Sequence, residues 1–488
     1  MFKTVPFAVF AILLAACGGG GGGEERGTRD DGMKDAGIAD GGAGDAGEAD
    51  GGTDDSGTPR LYRAEDGVMK TLDGHVIFLR GVNYSGTAKW APGHLAEMTA
   101  ADVERLIAYG SNSARLLTFW NAVAPDPGGG FDQAFIEAYL DRVKLLDEAG
   151  LFIIIDMHQD LWGEPFAVHG APGWACPDEI KEGYKETSPW WANYVSDQVT
   201  GCFDNFYADT ALQDSFATAW AEVARAVCPV ERVIGFDILN EPWPGSGLTD
   251  PSFDNKVLMA FYERVIDVVE EACPGRLYFA EPSAAFTFGF AKEIRIPKGL
   301  EDRVVVAPHF YPSEVHEPGT DGYKGPIEDL ESRLLESIGG YLDHGVPLWL
   351  GEFGGIITNP NFDAYMRDLH ALLAKHRVPN AIWDYCRGQG FCFLDEESKL
   401  NAVFDDVYTV PVPTLLPSKA ALSADWASGT VSASFDCVVG RGMTVMLNRP
   451  TSTCAAEPTG ILGPFTPGPG FSRADCLAPG ALKVTCAR

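Results

Sequence analysis

Positive charge is what this chain has least of. Its 37 Lys and Arg stand against 69 Asp and Glu, a formal net charge of −32 over 488 residues. Nucleic-acid phosphates need a basic footprint, so that class of partner is excluded. Cysteines at metal-binding spacing are also missing: no Cys-x-x-Cys pair occurs, so a zinc site is not expected. The glycine-rich turn after the first strand of a dinucleotide-binding sheet is absent, and Gly81-Val82-Asn83-Tyr84 stands there instead. The apolar stretch from Val5 to Leu14 falls short of the ~20 residues a membrane-spanning helix needs.

That stretch has the length of a secretory signal, with Lys3 as its positive start. It ends Leu14-Ala15-Ala16-Cys17-Gly18, which resembles a bacterial lipobox, the motif in which the cysteine becomes a lipidated first residue. An ordinary signal that happens to contain Cys17 is the alternative, and either sends the protein out of the cytoplasm. Residues 18–59 follow as a Gly- and Asp-rich segment with almost nothing to bury, and a disordered tether is expected. Setting Cys17 aside leaves ten cysteines, an even set that in an exported chain reads as disulfides. Proximity suggests Cys176 with Cys202, Cys228 with Cys273, and Cys386 with Cys392. Cys437, Cys454, Cys476 and Cys486 are expected to pair among themselves.

From about Leu61, apolar runs alternate with amphipathic helical patterns. Eight strands are expected: Val76–Tyr84, Ser113–Phe119, Leu151–Met157, Val233–Leu239, Arg276–Ala280, Val304–Pro308, Pro347–Gly351 and Asn380–Trp383. Eight strand–helix repeats predict an α/β fold, a closed (β/α)8 barrel over 60–408. An open doubly wound sheet is the alternative. The stretch from Asp160 to Ala211 is long and rich in Trp, Gly and Pro, and would either wall a cleft or pack against the barrel. After Tyr408 the period shortens, and residues 409–488 predict a small antiparallel β-sandwich.

Two of the runs stop at a glutamate: Phe236-Asp237-Ile238-Leu239-Asn240-Glu241-Pro242 and Leu348-Trp349-Leu350-Gly351-Glu352-Phe353-Gly354. A lone glutamate at a strand end is usually a solvated loop residue. Asn-Glu-Pro directly after an apolar strand is much rarer, and two such carboxylates on one barrel rim are what glycosidic bond cleavage requires.

With these motifs in their order along the barrel, the chain resembles glycoside hydrolase family 5. Within that family it is most similar to the endoglycoceramidases, through Asp156-Met157-His158-Gln159-Asp160-Leu161-Trp162, Gly170-Ala171-Pro172-Gly173-Trp174-Ala175 and Asn240-Glu241-Pro242-Trp243-Pro244-Gly245. The resemblance implies Glu241 as general acid/base and Glu352 as nucleophile. It implies Asn240 on the sugar 2-hydroxyl, Arg115 and Tyr311 on Glu352, and His158 and His309 at matching strand ends. Trp383 would be the sugar platform, and Lys89 and Asp160 would contact hydroxyls. The implied reaction is retaining hydrolysis, without a cofactor, of the bond between oligosaccharide and ceramide in glycosphingolipids. Other readings are a β-glucan or β-mannan hydrolase, a glycosidase of another glycolipid, or a surface carbohydrate-binding lipoprotein. A monomer held at a membrane through Cys17 is expected. Trp243, Pro244, Leu248, Ala284, Ala285, Phe286, Phe288 and Phe290 offer an apolar surface for a lipid beside Glu241, or else pack against outer helices.

Overall fold

The computed structural model describes residues 61–488 apart from 92, 129, 288–293, 448 and 450. The expected leader, Cys17 and the tether lie outside the described residues, as do Phe288 and Phe290.

Seven parallel strands lie side by side in the order Asn380–Ile382, Arg80–Tyr84, Ser113–Thr118, Phe152–Met157, Val233–Asp237, Leu277–Ala280 and Val304–Val306. The eighth closes the circle between the ends of this row. Leu348 bridges Val306 and Leu350 bridges Asn380, and Glu352–Phe353 then pairs in parallel with His309–Phe310. The fold is therefore the (β/α)8 barrel. Its strands are buried on both faces, which is why they read as unbroken apolar runs; all six residues of Phe152–Met157 are buried. Ile153 and Ile155 face the helices, while Ile154 points into the barrel with Ile234, Phe279 and Trp349. The helices carry the complementary stripe. In Thr210–Val227, Phe216, Trp220, Val223 and Val227 are buried at helical spacing, and the Asp209 carboxylate caps the first turn by accepting from the N–H groups of Ala211 and Leu212.

The expected first strand proves to be two. Val76–Ile77 belongs to an antiparallel sheet and only Arg80–Tyr84 to the barrel, because Val76 and Phe78 turn to a separate apolar core. The hairpin Tyr62–Glu65/Val68–Thr71 lies just before it. Its Tyr62, Ala64 and Met69 fill the barrel's lower end against Leu79, Ile154 and Trp349. The same ribbon then pairs through Val76–Ile77 with Val412–Leu416. The antiparallel unit is thus not wholly C-terminal. Three N-terminal strands join Val412–Leu416, Gly442–Met446, Phe471–Asp475 and Thr466–Gly468 in one seven-stranded sheet. A four-stranded sheet, Ala420–Asp425, Thr430–Cys437, Gly480–Ala487 and Thr453–Glu457, contributes Leu422, Phe435 and Val484 to the core it shares with Val412 and Val445.

The long segment after the third barrel strand holds the helix Asp197–Ala208, tied down by Cys176–Cys202. Trp162 and Trp174 pack around Trp120, with ring centroids 6.4 and 5.3 Å away, so these two serve packing; Trp190 is 50 % exposed. The structure pairs Cys228–Cys273 and Cys386–Cys392, and joins the last four as Cys437–Cys476 and Cys454–Cys486. A disulfide closing loops of this size stabilises by ~2–4 kcal/mol, chiefly by restricting the unfolded chain. A reductant is accordingly expected to lower the melting temperature by several degrees, read by calorimetry with and without dithiothreitol. An unchanged melting temperature on full reduction would contradict it.

Candidate active site

Arg115 is the hub of the site. It follows Ala114 and precedes Leu116, both of which face the helices, so alternation turns its side chain into the barrel, where it is fully buried. Its Nη1 contacts Glu352 Oε1 at 2.7 Å and Asn83 Oδ1 at 3.0 Å. Its Nε reaches Asp237 at 2.8 Å, and its Nη2 reaches Asp156 at 2.9 Å, Glu281 at 3.0 Å and Asn240 Oδ1 at 3.0 Å. Tyr311 donates its hydroxyl to the other Glu352 oxygen at 2.8 Å. Burial alone would raise the Glu352 carboxyl. The positive charges of His309 and Arg115 outweigh it and hold the group below the ordinary glutamate range.

Glu241 leaves the fourth strand with φ at +41°, a left-handed backbone uncommon outside glycine. Neighbours hold the turn. The Glu241 N–H donates to Glu281 at 2.8 Å, and Gln159 Nε2 donates to the carbonyls of Asn240 and Glu241 at 2.9 and 3.1 Å. The Glu241 side chain is 35 % exposed, against 6 % for Glu352, so it faces the opening. His309 stands between the two, with Nδ1 2.9 Å from Glu241 and 3.6 Å from Glu352. Burial would lower its pKa, but Glu281 and Glu352 together raise it well above the usual histidine value.

A second group lines the adjoining wall. His158 lies parallel to the Trp383 ring at 5.4 Å and contacts Asp156 at 2.8 Å. Lys89 sits over the same Trp383 ring, 4.8 Å from its centre, and pairs with Asp160 at 2.5 Å. Asp160 also meets His169 Nε2 at 2.7 Å. Burial would raise Asp160, but Lys89 and the two histidines hold it well below the usual carboxylate range. Asp384, beneath them, is pushed up to about 7 by burial, against a hydrogen bond from Ser85 and the charge of Lys89.

All ten site residues expected from sequence inside the described region (Lys89, Arg115, His158, Asp160, Asn240, Glu241, His309, Tyr311, Glu352 and Trp383) come together at one end of the barrel. Sequence reading missed Asn83, Asp156, His169, Asp237 and Glu281. Glu281 was detectable: it too ends an apolar run and precedes a proline, as Glu241 does. Of the apolar surface expected beside Glu241, Trp243 and Pro244 are buried, while Leu248, Ala284 and Phe286 are half-buried. Trp243 is buried against Tyr194 at 5.0 Å, and Phe286 packs on Tyr341 of the helix Ile327–Asp343 at 6.1 Å.

Comparison with known proteins points to the same fold. Endoglycoceramidase I of Rhodococcus hoagii is 27 % identical over 49 % of this chain and 50 % of its own. Endoglycoceramidase of Cyanea nozakii is 26 % identical over 43 % of this chain and 47 % of its own. The chain thus spans about half the length of these curated relatives. Among solved structures, endo-glycoceramidase II from Rhodococcus sp. in complex with ganglioside GM3 superposes with a TM-score of 0.73 at 24 % identity, over 86 % of this chain and 98 % of that one. The model of the cellulase family, glycosyl hydrolase family 5, matches residues 72–389, which take in every strand of the barrel and all ten of these site residues: the chain belongs to glycosyl hydrolase family 5.

Proposed function

We propose that this protein is a retaining glycosidase that cleaves the β-glycosidic bond between the glycan and the ceramide of glycosphingolipids. One observation carries the reaction type. Single carboxylate oxygens of Glu241 and Glu352 lie, with a nitrogen of His309, within 4.8 Å of one another. Retaining enzymes hold their carboxyls about 5–5.5 Å apart and inverting ones about 6.5–9.5 Å, the larger gap leaving room for a water.

The geometry divides the labour. Glu352, kept ionised by Arg115, His309 and the Tyr311 hydroxyl, attacks the sugar carbon. Glu241, nearer the opening, gives its proton to the departing oxygen and then takes one from the incoming water. Asn240 spends one amide hydrogen on the Gln159 carbonyl at 3.1 Å, and its second is left for the sugar 2-hydroxyl. Trp383 lines the cleft as the sugar platform, its ring shared with His158 and Lys89. For the aglycone, support comes from the names of the relatives, which include a glucosylceramidase of Rhizopus delemar as well as the endoglycoceramidases. We also propose export, with Cys17 as the lipid-bearing residue; five disulfides suit an oxidising compartment.

Hydrolysis of a fluorescent glycosphingolipid, carboxymethylcellulose and mannan in parallel tests the reading. Release of fluorescent ceramide with negligible sugar from either polysaccharide is the expected result. Turnover of a polysaccharide alone would make the protein a glucanase or mannanase, and turnover of none would leave a glycosidase of another glycolipid or a binding protein.

A further inference from the structure

Glu281 stands one residue beyond the fifth barrel strand, Leu277–Ala280, and is 2 % exposed. One of its oxygens accepts from the Glu241 N–H at 2.8 Å. The other accepts from Arg115 Nη2 at 3.0 Å and lies 3.3 Å from His309 Nε2. The opposite ring nitrogen, His309 Nδ1, is 2.9 Å from Glu241 Oε1. The imidazole therefore stands between two carboxyl groups, with Nδ1 in hydrogen-bond contact with Glu241 and Nε2 within ion-pair distance of Glu281. Gly351 leaves the room for it, since a Cβ there would come within 3.1 Å of Nε2.

We propose that Glu281 is a positioning residue for proton donation: as counter-ion of His309 it keeps both ring nitrogens protonated, so that Nδ1–H stays on Glu241 Oε1 and the transferable proton is confined to Oε2. A carboxylic acid can carry its proton on either oxygen, and only one points at the substrate. A donor fixed on Oε1 settles which. In the first step the Oε2 proton passes to the leaving oxygen, which takes the electrons of the broken bond, while Glu352 forms the new bond to the sugar carbon. Glu241 is left an anion, and Nδ1–H, which has not moved, stabilises it. His309 keeps its protons throughout, and the Glu281 carboxylate is what makes that cation tolerable in a buried site. The arrangement parallels the way a buried carboxylate orients the imidazole of a hydrolase triad, with a glutamic acid in place of the serine.

This rests on reading Glu241 as the acid, not on ceramide as the aglycone. Wild-type turnover of phenyl and dinitrophenyl β-glycosides of one sugar tests the glycosidase reading by itself. The ratio between them tests Glu281, because dinitrophenolate leaves without a proton and phenolate needs one. Glu281→Gln is expected to lose at least about tenfold more kcat/KM on the phenyl glycoside than on the dinitrophenyl one, within the ~10²–10⁴ range of general acid catalysis. Glu281→Asp, which keeps the charge, should recover part of that ratio. Equal losses on both substrates, or an Asp variant no better than Gln, would overturn the proposal. A second measurement needs neither turnover nor a variant that folds. Nitrogen NMR of isotope-labelled histidine in the wild-type protein should show both His309 ring nitrogens protonated at neutral pH, and a neutral ring there would sink the idea.

Discussion

Glu352→Gln is expected to reduce kcat by at least ~10²–10⁴, the range that mutation of a group acting directly on the reacting bond commonly spans. The amide is isosteric: its oxygen can keep the Arg115 contact, now at 2.7 Å, while its NH2 faces the Tyr311 hydroxyl, now at 2.8 Å, which can turn to accept, so the fold should persist. It has no negative charge with which to attack. Azide added to a Glu352→Gly variant should occupy the space of the lost carboxylate and yield a glycosyl azide of inverted configuration. A Gln variant with more than about a tenth of wild-type turnover would remove Glu352 from the role. Inversion in the wild-type product, followed by NMR of the fresh anomer, would remove retention itself.

Arg115→Met should be the most damaging change to stability. The guanidinium contacts four carboxylates, Asp156, Asp237, Glu281 and Glu352, all within 3.0 Å. Removing one partner of a buried charge group costs ~3–5 kcal/mol, because the remaining charges stay buried without compensation. The pH dependence has a definite sign. In the wild type the Glu352 pKa lies below its unfolded value, so this group's stabilisation is complete above the unfolded pKa and is lost as pH falls through the folded one. Without Arg115, burial would raise Glu352 instead, and Asp237 and Glu281, which burial already holds above the ordinary carboxylate range, would rise further, so the folded state binds more protons than the unfolded. Stability of the variant should therefore fall as pH rises, making its deficit greater at pH ~8 than at pH ~5. Chemical denaturation at both values measures this; a deficit independent of pH would mean that packing, not charge, is what Arg115 supplies.

The barrel was legible because parallel strands buried on both faces leave continuous apolar runs. Phe152–Met157 and Val233–Asp237 could hardly be read otherwise. Glu241 and Glu352 were legible because each interrupts such a run at its end. What escaped was set by the third dimension. Val76 and Ile77 look like the start of the barrel strand, but their pairing partner, Val412–Leu416, lies over three hundred residues away. His169 sits in an irregular segment whose position depends on the Cys176–Cys202 link and on helix packing, so no periodicity marks it. Phe286 carries the expected apolar character, and its half-buried ring lies on Tyr341, a neighbour that composition does not name.

The N-terminal hairpin has a consequence for how the molecule is made. Tyr62, Ala64 and Met69 belong to the barrel's floor, and their ribbon is completed only by Leu415 and Leu416. During synthesis the first described segment to leave the ribosome must therefore wait for almost the whole barrel before its last strand partner emerges. At ~5–20 residues per second that interval is tens of seconds, with an open strand edge exposed throughout. Pairing so distant in sequence also slows folding of the finished chain. Until residue 416 has been made, the Val76–Ile77 edge lacks its second strand partner, wherever the chain folds.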